Sequence, residues 1–450
     1  MAKDEKINPK QENGDISDVP AGIKELIDNI LHRVFDIESC ARKYCISAVN
    51  AFNENAERLK NELSEYQELA KKHEHGEENL VALKGIFKTI RAIERHNNSS
   101  PVETLEKGLF IYLFAAFDKY VGDLVSVLYQ NNPILYKNLN REISLSEALL
   151  YDTMDELKIS VLEKEIGALK RKGYVEQFKD LENKFGIKLT KFKDWPLFVE
   201  CAQRRNLITH NDGEVSRQYL DVCAKVKFDF KKSTLFDEAP SIGDNLSVGA
   251  KYLFYSCHIV SEVAVMLGHT LWRKVLKDEL KKSDSHLTSV VFNLLHMEDW
   301  GKAISLSNFA LGLPNITSDE FKRIFTINLA IALIEINKKT HAIKVLDDLD
   351  WSATSYDFKI AYAVLTEDFG EACEIMKKMG KEGNIIAELA YHDWPLFKNF
   401  RNREDFFDAY YEVYGYPYSA KLNSLAEEKK PDVEKVSQCE PESCSNDSSG

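Results

Sequence analysis

The chain has 450 residues, 44% apolar and 29% charged, with 20 Gly and 11 Pro, a composition that suits two or three domains of all-α class. A formal net charge of −13 at pH 7 excludes a protein that coats nucleic acid over its whole surface. No segment reaches about 18 consecutive apolar residues and the polar N-terminus lacks a signal-peptide core, so a cytoplasmic protein with no membrane association is expected.

Residues 1–20 carry too little apolar material to bury anything and are expected to be a disordered tail. From Ile23 to Phe52 apolar residues recur at helical spacing, and from Asn53 to Glu78 they thin to Leu59, Leu63, Tyr66 and Leu69, the stripe of a long helix packed along one edge, against this chain or a second copy. Leu80 to Ile93 returns as an amphipathic helix. These helices form an expected N-terminal segment, 21–98, closed by the breaker Asn97-Asn98-Ser99-Ser100-Pro101. His73-Glu74-His75 lacks a third ligand at helical spacing, and the eight cysteines are scattered without CxxC pairs, so no metal, cofactor or disulfide is expected.

Gly108 to Tyr129 is the strongest apolar helix. Phe110, Phe114, Phe117, Val121, Leu124 and Leu128 fall in one arc, and Asp118 at its edge needs a partner, Arg204 or Arg205 being the candidates. Asn131-Asn132-Pro133 ends that helix and Ser144-Leu145-Ser146-Glu147 resembles a capping box. Helical pattern then runs from Ala148 to Ile166 and from Gly167 to Phe185. Lys184 to Lys193 interleaves four Lys with Phe185, Ile187, Leu189 and Phe192, so that Lys191 and Lys193 can follow an RNA backbone, or simply form a solvated loop. The basic balance is regional: from Lys164 to Lys232 there are sixteen Lys and Arg against ten Asp and Glu, which draws anionic ligands here.

Asp194-Trp195-Pro196 opens a helix with an N-cap and a tolerated proline. That helix carries Gln203-Arg204-Arg205-Asn206-Leu207-Ile208-Thr209-His210 and closes on Asn211-Asp212-Gly213. Arg91 and His96 repeat the Arg-to-His spacing without the Asn or the helix stop, so spacing alone carries little. Histidine suits proton transfer near neutral pH, and arginine's planar fork suits a phosphate. Asn206, one turn before His210, can orient the imidazole. On an ideal helix Arg205 and His210 lie about 140° apart. Either the helix unwinds before Asn211, or two copies of the motif meet across a two-fold axis.

Arg-Asn-x-x-x-His closing a helix resembles the signature of HEPN-domain proteins, with weaker likeness from Leu105 to about Val275. The resemblance implies a HEPN-like helical bundle over 101–277 and a homodimer through it. It implies a metal-independent endoribonuclease at a composite dimer site, cutting RNA by 2′-hydroxyl attack. Arg205, His210 and Asn206 would be catalytic, Arg204, Lys191 and Lys193 substrate-binding, and Asp118 a supporting acid. A toxin or anti-phage effector is the expected setting. The alternatives are a catalytically idle HEPN module for dimerisation or nucleotide binding and a scaffold in which Arg205 and His210 only pair and cap.

After Gly213 a helix is expected from Val215 to Val226, a polar loop from Lys231 to Gly243, a long helix from Leu246 to Leu276, and a charged linker from Lys277 to Ser285. Residues 285–420 then read as helix pairs, 287–313, 320–349 and 358–379, with Ala303, Ala342 and Ala372 after comparable turns. The pattern resembles tetratricopeptide-like repeats, implying an α-solenoid that binds a protein partner or trigger. Residues 421–450, rich in Glu, Ser and Pro, read as a disordered acidic tail.

Overall fold

The computed structural model describes residues 22–419 apart from 74, 140, 141 and 234, so both expected tails lie outside the described residues. The described chain is all-α, with no strand beyond two isolated bridges. It divides into two compact units, Met1–His286 and Leu287–Gly450.

In the first unit α1 (Ile23–Cys40) runs through one wide turn at Ala41–Cys45 into α2 (Ile46–Lys72). Next come α3 (Glu77–Asn97), α4 (Pro101–Asn131), the single turn α5 (Leu145–Ala148), α6 (Met154–Lys170) and α7 (Tyr174–Phe185). The unit continues with α8 (Trp195–Asn211), α9 (Arg217–Lys225) and α10 (Ala250–Val275). The six apolar residues of the α4 arc are all buried, and Phe114 and Phe117 meet Phe198 of α8 and Tyr174 of α7 in one aromatic cluster. This cluster is the floor on which α8 rests.

The expected division at 98–101 falls at the turn between α3 and α4, yet α1 packs on α4 and α10 through Ile23, Leu26, Ile27, Ile30, Val34 and Ile37. Close approach of α1 to α10 depends on Gly268, where a Cβ would stand 2.8 Å from Ile27. The stripe of α2 packs on α3 within this chain, with Tyr66 lying over Gly85. His96, of the second Arg-to-His spacing, is buried and stacks on Phe52 at 3.9 Å.

Three boundaries differ from expectation for identifiable reasons. Gly167 does not break the chain, and α6 passes through it to Lys170. The helix expected from Leu246 starts at Ala250 because Asp244 and Leu246 pair with Val215 and Gly213. Lys277–Ser285 is helical, not extended: Lys277–Glu279 forms a 3-10 turn and the rest begins α11 (Leu280–His296), with Ser283 and Asp284 buried against polar partners while Lys281 and Lys282 stay exposed. Asp284 pairs with Arg273, and the Ser283 hydroxyl lies 2.9 Å from His269.

The second unit holds α12 (Trp300–Leu311), α13 (Asp319–Glu335), α14 (Lys339–Asp347), α15 (Tyr356–Leu365), α16 (Phe369–Met379), α17 (Glu388–Asp393) and α18 (Glu404–Tyr414). The turns before α12, α14 and α16 share one construction. Glu298, Asn337 and Glu367 sit in the left-handed region with φ of 56°, 60° and 64°. The next residue's N–H then reaches back five positions, Asp299 to Leu294, Lys338 to Leu333 and Asp368 to Ala363. Ala303, Ala342 and Ala372 are fully buried just beyond.

Candidate functional site on helix α8

Pro196 occupies the first turn of α8, where its missing N–H costs nothing. The Asp194 side chain makes no cap bond. The helix stays intact through His210 and stops at Asp212, which is left-handed with φ 48°, and Gly213, φ 93°. Asp212 is fastened from α4 by Lys107 at 2.8 Å, and that hydrogen bond holds its carboxyl below the usual range. Gly213 is required by crowding as well as by φ, since a Cβ there would stand 2.8 Å from the Leu246 carbonyl.

The adjacent arginines separate completely. Arg204 points inward, 4% exposed. Its Nε donates to the fully buried Glu200 carboxylate at 3.0 Å, one of its terminal nitrogens donates to the Ser247 carbonyl at 3.1 Å, and its guanidinium lies 3.8 Å from the Tyr252 ring centre. Glu200 also accepts from Tyr219 at 2.7 Å and Tyr252 at 2.6 Å. Burial opposes the Arg204 charge, but Tyr252, Glu200 and Tyr219 around it outweigh that cost and hold its pKa above the ordinary value. Arg204, expected to bind substrate, thus lies in the core, with two of its nitrogens engaged there and the other terminal nitrogen without a partner among the described residues.

Arg205 turns toward α4 and α7. Its guanidinium stands 3.7 Å from Asp118, with both side chains about one-quarter exposed, so of the two candidates for the Asp118 partner it is Arg205. The Tyr174 hydroxyl donates to Asp118 at 2.6 Å. Burial pushes the Asp118 carboxyl above its usual range, against the Tyr174 hydrogen bond and the Arg205 and Lys170 charges.

Arg205 also donates to the Asn206 amide oxygen at 3.1 Å. Asn206 therefore faces Arg205, not His210. His210 is exposed and makes no hydrogen bond among the described residues, which leaves its imidazole open to a ligand. Because α8 is helical through both, Arg205 and His210 remain on different faces. The helix does not unwind before Asn211.

Lys191 and Lys193 lie exposed on the loop between α7 and α8, with no ion pair among the described residues. That loop is pinned by Glu182, which accepts from the Leu189 and Thr190 N–H groups at 2.7 and 2.9 Å and from the Thr190 hydroxyl at 3.0 Å. Lys184 is less available, 3.7 Å from Glu165 and facing the Tyr129 ring.

Among the described residues no group of three or more His, Cys, Asp or Glu is placed to hold a metal ion, and no helix is long and apolar enough to cross a membrane. Glu200, Tyr219 and Tyr252 around Arg204, Tyr174 on Asp118 and Lys107 on Asp212 are partners that the sequence alone does not single out. Glu200 carried a signal, standing four residues before Arg204 on one helix; the tyrosines and Lys107 arrive from distant helices and carried none. The chain matches no family model, no curated protein and no solved structure.

Proposed function

We propose that the first unit is a HEPN-like, metal-independent endoribonuclease module that works as a homodimer, with Arg205 of one copy and His210 of the other acting on one phosphate. The carrying observation is the pair's placement on an unbroken α8: an unencumbered imidazole at the helix end and a part-exposed guanidinium on another face. Two-fold pairing brings such groups together where one helix cannot. In this reading His210 moves the proton and Arg205 stabilises the negative phosphorane by paired hydrogen bonds. Lys191 and Lys193 follow the RNA backbone, and an effector of toxin or defence type is the setting. The second unit, with its three like turns, is a tetratricopeptide-like array for a protein partner or trigger.

A second reading has a specific observation in its favour. Arg205 is already engaged by Asp118 and Asn206, which suits a catalytically idle module used for dimerisation or nucleotide binding. RNA cleavage by purified full-length protein in EDTA separates the two. The ribonuclease reading expects 2′,3′-cyclic phosphate ends and a loss of about 10²- to 10⁴-fold in His210→Ala. It expects a comparable loss in Arg205→Lys, whose point charge lacks the fork. Cleavage that needs added metal or survives His210→Ala overturns it.

A further inference from the structure

The second unit contains a cavity of about 540 Å³ lined by residues of α11, α13 and α15 and of the 385–394 segment, a size that suits a small molecule. Its wall is chiefly apolar and aromatic, with Phe292, Ile324, Ile327, Phe358 and Trp394. Asn328 interrupts that wall at the centre of α13, in a run from Phe325 to Leu333 that is buried throughout. Asn328 is 0% exposed, and among the described residues neither its amide nitrogen nor its amide oxygen has a hydrogen-bond partner; the Trp394 indole N–H is likewise unpaired among them.

A buried amide with no partner destabilises the fold, and Leu at this position would satisfy α13 without that cost. Residues that break a local rule in this way are expected where a ligand completes them. The carboxylates of the wall are spoken for. Asp357 accepts from the Ile385 and Ile386 N–H groups at 2.8 Å each and fastens that segment, and Asp393 pairs with His296 at 2.8 Å. Among the described residues no Lys or Arg lines the cavity, so none of them compensates an anionic ligand.

We propose that this cavity binds a neutral planar heterocycle of the nucleobase class, seated among Phe292, Phe358 and Trp394, with an edge that pairs with the Asn328 amide. A primary amide presents a donor beside an acceptor, which matches a base edge that offers the complementary pair. Phosphate is not part of the recognised group. The site does not depend on the ribonuclease reading and stands or falls separately from it.

The test uses full-length protein with adenosine and uridine as probes, read by calorimetric titration and by thermal melting. One or both nucleosides should bind at a single saturable site and raise the melting temperature. The counterparts lacking the donor, N6,N6-dimethyladenosine and 3-methyluridine, should bind at least about tenfold more weakly, because they leave the amide oxygen unpaired. Asn328→Leu should abolish binding and melt, without ligand, no lower than the parent protein. Absence of binding by both nucleosides overturns the proposal, as does equal binding of the methylated forms or binding that survives Asn328→Leu. An Asn328→Leu protein that melts lower or fails to fold overturns it too, since the amide then serves the fold.

Discussion

Arg204→Met is the substitution that best separates a core role for the first arginine from a surface one. Methionine keeps much of the length and apolar stem but removes the guanidinium that faces the fully buried Glu200 carboxylate. Glu200 would retain its bonds from Tyr219 and Tyr252 but lose its only counter-charge at hydrogen-bond distance among the described residues. Removing one partner of a buried ion pair typically costs about 3–5 kcal/mol. For a unit of this size that corresponds to a fall of roughly 6 to 20 °C in melting temperature.

Calorimetric melting of the full chain reads the effect as a shift of one transition. Glu200→Gln combined with Arg204→Met should recover part of the loss, because a neutral amide still accepts from the tyrosines and leaves no buried charge. An Arg204→Met protein that melts within about 2 °C of the parent while losing RNA affinity would refute the reasoning and return Arg204 to the phosphate.

His269 is fully buried, and burial first, then His286 and Arg273, hold its pKa well below the ordinary value; Ser283 and His286 contact its ring nitrogens, and Asp28 and Asp284 are the nearby acids. The unfolded chain thus binds the extra proton first, so stability should fall as pH drops below about 6.5, by up to about 1.4 kcal/mol per pH unit, and denaturant melts at pH 7.5 and 5.5 should show it. Gly213→Ala should cost about 1–3 kcal/mol by denaturant titration, since it meets both an unfavourable φ of 93° and the Leu246 carbonyl; an unchanged midpoint would mean that the turn relaxes freely.

How much of this was legible depends on whether a residue's fate is decided locally. The α4 arc was, because six apolar side chains on one face have a single place to go. So was the end of α8, where Asn211-Asp212-Gly213 supplies the left-handed residues that a helix stop needs. The turns before Ala303, Ala342 and Ala372 were legible for the same reason. Which of two adjacent arginines turns inward was not, since neighbours on a helix differ by about 100° and the choice rests on Tyr219 and Tyr252 arriving from α9 and α10. In Lys277–Ser285 nothing in the charge pattern marks Ser283 and Asp284 as buried, and their burial rests on His269 and Arg273 as partners. The same blind spot covers Asn328, a polar residue whose burial no periodicity announces.

Asp118 decides whether Arg205 is held ready or held back, and Asp118→Asn tests which. The pair stands at 3.7 Å with each side chain about one-quarter exposed, too long for a hydrogen bond and worth about 0.2–1 kcal/mol on the scale of partly solvated pairs. In the proposed ribonuclease reading, a phosphate at Arg205 competes with that attraction. Asparagine removes the charge while leaving an oxygen to accept the Tyr174 hydrogen bond, so it should tighten RNA binding by up to about fivefold. Stability gives an independent sign. Burial raises the Asp118 pKa in the fold, so the folded chain binds the proton more tightly than the unfolded one. The carboxyl therefore costs stability as pH rises through the window above its ordinary value. Asp118→Asn should then melt no lower than the parent at pH 7 and bind RNA more tightly. Weaker RNA binding by a folded Asp118→Asn protein would show that the carboxylate aims the guanidinium at the phosphate, making Asp118 the positioning residue and the 3.7 Å pair part of the site.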